Sequence, residues 1–488
     1  MKAIVIGAGI GGLGAAIRLA KEGYAVTVFE ANNHVGGKMN NLQLGEWRFD
    51  MGPSVFTGPE YIRELFELCG EDFSTFQYKK LDESFTYFFS DGQHFSLPAN
   101  EKDLIATFER ELGEDPKVVR NYLKKSGDNY KTIAPLFIET SLHRWKGLLN
   151  KRLLKALSRL PKYKLNSTMN EENILTFSNP KTIQIFNRYA TYNGSDPFKT
   201  PAMLNMIQHL EMNEGVYLPK KGMVNIANTL KELAERQSVT FRFQEKVEKI
   251  HLDKNVVVGV QTAQGRYDAE VVLSNMDVAF TYERLMPEAD RPMKILNQEK
   301  SSSAMVFYWG IRKQFSELGV HNMIFSSDYN KEFKALFDDF TLQEDPSIYI
   351  NITSKEIPSD APIDGENWFV MINVTINKGQ DWDAYQSSAR KKVIEVINKT
   401  LDTSIEAYIE EEFVMDPVFI ENKYSGKLGS IYGNSSNNTY AAFYRHPNFS
   451  KKIKGLYFAG VTVHPGGGIP LALNSAKIAI ECLRQDKR

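Results

Sequence analysis

"KAIVIGAGIGGLGAAIRLAKEGYAVTVFE", residues 2–30, decides how this chain begins. "KAIVIGAG" reads as a buried strand running into a tight turn, "IGGLGAAIRLAKEG" as a helix closed by Gly23, and "YAVTVFE" as a second strand. Strand, helix and strand in that order open a parallel α/β sheet. Gly7, Gly9 and Gly12 stand in G-x-G-x-x-G order after the first strand and at the mouth of the helix. Glycines so placed permit the turn, let backbone approach a pyrophosphate, and let helix and strand pack closely. The free N–H groups of the helix then face the phosphates. Glu30 closes the second strand, 18 residues after Gly12, where a carboxylate accepts hydrogen bonds from ribose hydroxyls and repels a 2′-phosphate. The stretch predicts a dinucleotide site that disfavours NADP.

Glycine-rich turns recur outward from this start. "NHVGGKM" places Gly36 and Gly37 just beyond the second strand, where a simple NAD site needs no glycine pair but a longer cofactor passing close to the backbone does. "FDMGPSVF", residues 49–56, is another Gly-Pro crossing, in which Ser54 can present backbone groups to a ligand. More than four hundred residues later comes "AGVTVHPGGGIP", residues 459–470, between an apolar strand, "GLYFAGV", and a helix, "ALNSAKIAIECLRQ". If that strand rejoins the first sheet, Gly466–Gly468 bring backbone against something flat, and the helix starting near Pro470 aims its N–H groups at it. A reduced flavin ring, with negative charge along its N1–C2=O edge, suits a helix N-terminus. The two distant turns then serve opposite ends of one FAD.

Composition narrows the class. A chain of 488 residues, 42% hydrophobic and 24% charged, builds a sizeable core and more than one domain-sized unit. Its net charge of −1 gives no reason to expect nucleic acid. Cys69 and Cys482 show neither metal-ligand spacing nor a disulfide framework, which fits a reducing cytoplasm. No apolar run is long enough to span a bilayer. The glycine spacing and the acid that follows set the N-terminal segment apart from a secretory signal.

Between the ends lie other materials. "FTYFFSDGQHFSL" is an aromatic strand pattern with an Asp-Gly turn, residues 101 to about 190 read as mostly helical, and "VNIANTLKELAERQS" is a helix followed by short strands. "AMVFYWGI" (304–311) and "NWFVMINV" (367–374) carry large apolar groups on both faces, so each is buried on both sides or faces a core on one and a ligand cavity on the other.

Together, "GAGIGGLGAAIRLAKEGYAVTVFEANNHVGGKMN", "DMGPSVFTGP", "RYATYNGSDPFKTPAMLNMI", "YLPKKGM" and "GLYFAGVTVHPGGGIPLALNSAKIA" resemble the bacterial-type phytoene desaturase family, FAD-dependent carotenoid desaturases with the flavoprotein amine oxidase fold. The resemblance spans essentially the whole chain; it is specific at the two ends and looser in the middle, apart from residues 188–223. It implies an α/β fold with a Rossmann-like FAD-binding domain discontinuous in sequence (1–75, 215–300 and 420–488). It further implies a mixed-sheet substrate domain (76–100, 190–214 and 301–419) and a helical, membrane-facing subdomain (101–189). The cofactor contacts it implies are Gly7, Gly9, Ile10, Gly11, Gly12, Glu30, Gly36, Gly37, Lys38, Pro53, Ser54, Val247, Gly460, Val461, Gly467, Gly468 and Ile469, with no metal. Departures exist: the family's usual "GTHPGAGIPG" has here Val463 before the histidine, Gly467 for alanine and Leu471 after Pro470, and Lys38 stands where arginine is common. Lysine keeps the charge but loses the planar fork. The "VHPGGG" form is more similar to desaturases that introduce a 3,4 double bond into hydroxylated carotenoids.

The chemistry so implied removes two hydrogens from adjacent carbons of an acyclic polyene end. No carbonyl activates the C–H bond, so a hydride passes to flavin N5 while the protein orients the carbons and excludes water. The adjacent proton leaves to a base or to water. Candidate bases are Asp196, His209 and Glu211, although a surface or structural polar residue is the commoner reading of each; His464 reads as shaping its turn. Phe85, Tyr87 and Phe89 alternate on one strand and Met305, Phe307 and Trp309 on another, and both stripes are expected either to line an apolar tunnel or to pack the core. Residues 142–164 carry eight Lys or Arg, one Trp and no acid, the composition of an interfacial helix drawn to anionic lipid or of a basic solvated face. The expected partners are a carotenoid and a membrane surface, without nucleic acid, in a cytoplasmic protein peripheral to the cytoplasmic membrane. Competing readings are a phytoene desaturase or carotene isomerase, an amine oxidase, and a flavin-free lipid-binding protein like the Rab GDP-dissociation inhibitors.

Overall fold

In the computed structural model, which describes residues 1–144, 166–438 and 444–487, the opening strand lies at the centre of a five-stranded sheet. In spatial order the strands are Leu456–Phe458, Val271–Ser274, Lys2–Ile6, Ala25–Phe29 and Thr240–Arg242, all parallel. Alternation explains why the sheet is covered on both faces. Ala3 and Val5 join the apolar layer of three helices, Ile10–Lys21, Val224–Arg236 and Ile469–Asp486, through Leu13, Ile17, Leu230, Leu233, Leu473 and Ala476. Ile4, Ile6 and Phe29 point the other way, into a layer built with Val247, Ile250 and Val260 of a small antiparallel sheet (247–253, 256–262 and 265–268). Val247, expected at the cofactor, begins that small sheet and is buried in this layer.

The chain leaves strand Lys2–Ile6 toward Ala25–Phe29 on one side, and returns on the other side through Val271–Ser274 and Leu456–Phe458. Strand order therefore reverses beside Lys2–Ile6, and ligands of parallel sheets gather at the C-terminal ends of the strands at such a switch point. Gly7 and Asn275 are the first residues beyond those ends.

A second sheet has seven strands in the order Ile409–Met415, Ser303–Ile311, Glu366–Val374, Ile348–Ile352, His321–Ile324, Glu83–Phe88 and His94–Pro98. Its pairs are antiparallel except His321–Ile324 with Glu83–Phe88. The hairpin expected at the Asp-Gly turn is present, with Gly92 at φ +89° and the Phe89 N–H donating to the Gln93 carbonyl. One face of this sheet is roofed by helix Trp382–Leu401; Met305, Phe307, Trp309 and Trp368 pack there with Ala389, Val393 and Ile397. The other face, with Phe85, Tyr87, Tyr308, Tyr349 and Phe369, packs with Phe49 and Met51, in and just beyond strand Trp47–Asp50. Of the two readings left open for the stripes, tunnel lining or core packing, Met305, Phe307 and Trp309 take the second: they are core beneath that helix, on the opposite face from Phe85 and Tyr87. Period-two alternation sorts residues onto two faces but does not say what each face meets.

Candidate active site

At the switch point the backbone itself builds the crevice. Gly7, at φ +90°, donates its N–H to the Phe29 carbonyl (2.8 Å), and a Cβ on Gly12 would lie 2.0 Å from the Gly7 carbonyl oxygen. No side chain other than hydrogen fits at Gly12. Helix Ile10–Lys21 starts from Gly9 with no side-chain cap and no acid in its first turn, so its N-terminal N–H groups stay available. The buried Glu30 carboxylate accepts from the Ala8 N–H (2.8 Å), the Asn32 N–H (2.8 Å) and Asn32 Nδ2 (2.9 Å), which sets it at the edge of the same turn. Gly36 closes the wall, bridging to Gly9 and donating its N–H to the Ala8 carbonyl (2.8 Å).

The C-terminal turn comes to the same place. A Cβ on Gly11 would stand 2.8 Å from the Gly460 nitrogen, and the Gly460 N–H donates to Ser475 Oγ (2.7 Å) in the last helix. Helix Ile469–Asp486 runs parallel to helix Ile10–Lys21, with Gly14 against Leu473 near their starts and Arg484 Nε donating to Glu22 Oε1 (2.8 Å) near their ends. It too begins without a side-chain cap or an acid in its first turn, and a Cβ on Gly468 would meet nothing within 4 Å. Val461 packs on the helix layer of the five-stranded sheet, and Ile10 and Ile469 are buried in it. The two glycine turns therefore share one cleft.

Cations crowd this cleft. Lys38 Nζ donates to the Ile431 carbonyl (2.6 Å); burial pulls its pKa down to about 8 while Asp277 holds it up. Arg445 is 2% exposed and, among the described residues, donates only to backbone, to Tyr432 O (3.2 Å), Asn434 O (2.8 Å) and Val461 O (3.4 Å), and burial lowers its pKa to about 10. Gly466 lies on its guanidinium, with a hypothetical Cβ 3.1 Å from Cζ. The ring of Tyr432 fits between two glycines, since a Cβ on Gly467 would be 2.1 Å from its Cδ1 and one on Gly194 3.0 Å from its Cδ2. The 188–214 stretch is thereby joined to the C-terminal turn. His464 is buried, with Nε2 donating to the Thr140 carbonyl (2.9 Å), and burial takes its pKa down to about 3. It therefore stays neutral and ties the turn to the helical region.

An FAD fits these residues on the chain's own terms. The wall is glycine where a Cβ would collide, and two uncapped, acid-free helix starts lie side by side. Among the described residues, Lys38 and Arg445 have only backbone carbonyls as hydrogen-bond partners. Loop 51–56, with Pro53 and Ser54, borders this cleft, because a Cβ on Gly52 would lie 2.0 Å from the Lys38 carbonyl. Ser54 Oγ meets Tyr349 Oη at 2.8 Å, and Tyr349 Oη meets His321 Nδ1 at 2.7 Å, linking the cleft to the aromatic sheet face.

The three candidate bases have different surroundings. Glu211 is fully engaged: it accepts from Arg188 (2.7 Å), from Tyr189 Oη (2.6 Å) and from Tyr192 Oη. His209 lies beside Tyr130, with Nε2 3.3 Å from Glu214. Asp196 is buried next to the Gly194–Tyr432 contact, accepts the Phe198 N–H (2.8 Å), and has its pKa raised by burial against the pull of Lys199.

Several site residues escaped the sequence reading. The amide of Asn275 lies 2.6 Å from the Cβ positions of Gly9 and Gly11 and 2.7 Å from that of Gly460, so three glycines converge on it. A signal existed: Asn275 directly follows an apolar strand, at the end where switch-point ligands gather. Tyr432, Arg445, Tyr349 and His321 carry no spacing signal and are brought in only by tertiary packing.

A family model described as flavin containing amine oxidoreductase matches residues 10–483. The chain is 46% identical over 482 residues, 99% of both chains, to a protein of Flavobacterium sp. (strain P99-3) named 1-hydroxycarotenoid 3,4-desaturase. It is 30% identical over 489 residues, 97% of this chain and 96% of the other, to the 4,4′-diaponeurosporene oxygenase of Staphylococcus aureus (strain MRSA252). Among solved structures, putrescine oxidase bound to putrescine superposes with a TM-score of 0.64 over 100% of this chain and 99% of its own, at 14% identity, which speaks to fold alone.

Proposed function

This chain belongs to the flavin-containing amine oxidoreductase family, and on that premise we propose that it is an FAD-dependent desaturase placing a 3,4 double bond in the acyclic end of a 1-hydroxylated carotenoid. The observation that carries the reading is the 46% identity, sustained over 99% of both chains, to a 1-hydroxycarotenoid 3,4-desaturase. The cleft agrees with it, since a dinucleotide crevice opens toward an aromatic sheet face suited to an apolar polyene.

Bound FAD supplies the two-electron acceptor for the hydride that leaves one carbon. The chain's residues do the rest. Gly7–Gly12 and Glu30 would hold the nucleotide half, and Gly36–Lys38, Pro53–Ser54 and Gly460–Ile469 would hold the flavin half. The start of helix Ile469–Asp486, with Lys38 and Arg445, keeps the cleft positive, which favours charge accumulating on a reduced cofactor. Phe85, Tyr87, Tyr349 and Phe369 exclude water from the reacting carbons. Asp196 takes the proton from the neighbouring carbon; its raised pKa brings it closer to the range useful for a base.

The enzyme works from a membrane surface. Among the described residues no helix is long and apolar enough to cross a bilayer. The basic stretch 142–164 would supply the attraction to anionic lipid; all of it beyond residue 144 lies outside the described residues.

The test is turnover. Holoprotein with liposomes carrying 1-hydroxylated, non-hydroxylated and shorter-conjugated acyclic carotenoids should yield a product two hydrogens lighter, absorbing at longer wavelength, from the hydroxylated substrate first. Oxidation of amines with every polyene untouched would replace the reading by amine oxidation. Protein that takes up no flavin would replace it by lipid carriage.

A further inference from the structure

His321 is a buried polar side chain in the middle of an apolar aromatic face. It is 2% exposed and lies on the same side of its strand as Met323, in the layer that holds Phe85, Tyr87 and Tyr349. Its neighbours settle which nitrogen carries the proton. Asn351 Nδ2 donates to the Val320 carbonyl (2.9 Å), which fixes the orientation of that amide, and the same Nδ2 lies 3.2 Å from His321 Nδ1. An NH2 group can only donate, so Nδ1 accepts. Tyr349 Oη, 2.7 Å from Nδ1, donates in the same sense and is in turn met by Ser54 Oγ at 2.8 Å. The proton of the neutral ring is therefore on Nε2. That Nε2–H is buried and has no partner among the described residues.

Such a donor costs stability unless something accepts from it. The surroundings keep the ring neutral: burial first, and the Arg188 guanidinium second, lower its pKa to about 3. Arg188 lies 4.1 Å over Phe85, which stacks on His321 at 5.3 Å, but its own charge is already matched by Glu211. Trp47 Nε1, Tyr329 Oη and Arg188 Nε are also buried in this layer without a partner among the described residues, but His321 is a neutral ring held in one tautomer, and the chain of contacts that holds it starts at Ser54, on the border of the cofactor cleft.

We propose that His321, oriented by Tyr349 and Ser54, donates from Nε2 to the hydroxyl oxygen of the carotenoid end and thereby selects the hydroxylated substrate. This rests on the desaturase reading above. Geometry of the substrate favours it: the hydroxyl on C1 is two carbons from the C3–C4 bond that reacts, so a group that reads it must stand close to the cofactor cleft. A donor anchored to Ser54 does so. A substrate end lacking the hydroxyl would leave this N–H unpaired in a dry layer, and sites of that kind discriminate strongly.

The test compares holoenzyme variants His321→Leu, His321→Gln and Tyr349→Phe with the unsubstituted protein. For each, the affinity for a 1-hydroxylated acyclic carotenoid and for its non-hydroxylated analogue is read by quenching of tryptophan fluorescence, and kcat/KM by product formation. H321L should lower the preference for the hydroxylated polyene about tenfold to a hundredfold, in binding as in kcat/KM, with flavin absorption unchanged. H321Q, whose amide N–H reaches the place of Nε2, should restore much of it, and Y349F should lose part of it. If H321L fails to take up flavin, Y349F, which keeps the ring in place, carries the test. An unchanged preference in H321L or Y349F overturns the proposal, as does an equal loss for both substrates, which would assign the histidine to packing or to a bound water. Preference lost in binding while neither polyene is turned over would support hydroxyl recognition and reject desaturation alone.

Discussion

A single missing methyl group accounts for how Tyr432 is seated. Alanine at 467 would put its Cβ 2.1 Å from the Tyr432 ring, a distance no packed carbon tolerates, so Gly467 and Tyr432 are complementary. Gly467→Ala should cost about 1–3 kcal/mol through overpacking. Tyr432→Val in the same chain should recover most of it, read as a double-mutant cycle of melting temperatures. Additive losses would show that the two residues do not interact. Another local prediction concerns Glu332, whose buried carboxyl accepts from Ser326 Oγ (2.7 Å) and Ser347 Oγ (2.7 Å), and whose pKa burial pushes up to about 7. Its folded value lies above the unfolded one. As pH rises from about 4.5 to 7, the unfolded chain loses this proton first, so stability falls across that window and levels off above it. Glu332→Gln should flatten that slope, gaining on the order of 2 kcal/mol at pH 7.5 relative to pH 4.5. Parallel pH–stability curves for the two proteins would contradict it.

Between elements, the contact that matters most is that of the first helix with the last. Ile10–Lys21 and Ile469–Asp486 approach closely because position 14 is glycine, and a Cβ there would stand 3.0 Å from Leu473 Cδ2 and 3.5 Å from Ala476 Cβ. Gly14→Val should spread the pair, lower stability by about 1–3 kcal/mol and weaken retention of FAD on gel filtration; unaltered retention would mean the helix starts are not jointly used. At this scale much was legible. The βαβ start, the Asp-Gly hairpin and the strands within 304–311 and 367–374 follow from periodicities that hold over a few residues. Whether Met305, Phe307 and Trp309 line a tunnel or pack the core stayed open in the sequence, because those residues look alike whether a helix or a ligand covers them; the fold places them in the core.

For the molecule as a whole, the cofactor cleft is closed by segments from both ends of the chain. FAD binding should therefore stabilise the fold as one unit, by about 2.7 kcal/mol when free FAD is a hundred times its Kd. Hydrogen exchange should slow at residues 7–13 and at 460–473 together. Protection of one segment without the other would separate the two halves of the site. The proposed membrane attachment belongs to this scale too: reversing the charges of Lys151, Arg152, Lys155 and Arg159 should abolish pelleting with anionic liposomes, and pelleting that persists would overturn the proposal for this stretch.

Local order in the sequence was enough to determine the first glycine turn, the acid that closes the second strand, the second glycine turn and the kind of cofactor that needs both. These rest on backbone conformation and near-neighbour spacing, which residues 7–30 and 459–470 carry within themselves. Only the folded chain decided that Asn275 would stand among Gly9, Gly11 and Gly460, that Tyr432 would sit between Gly194 and Gly467, and that Ser54, Tyr349 and His321 would form one hydrogen-bonded line. Each of those groupings joins residues far apart in the chain, and packing, which periodicity does not encode, is what brings them together.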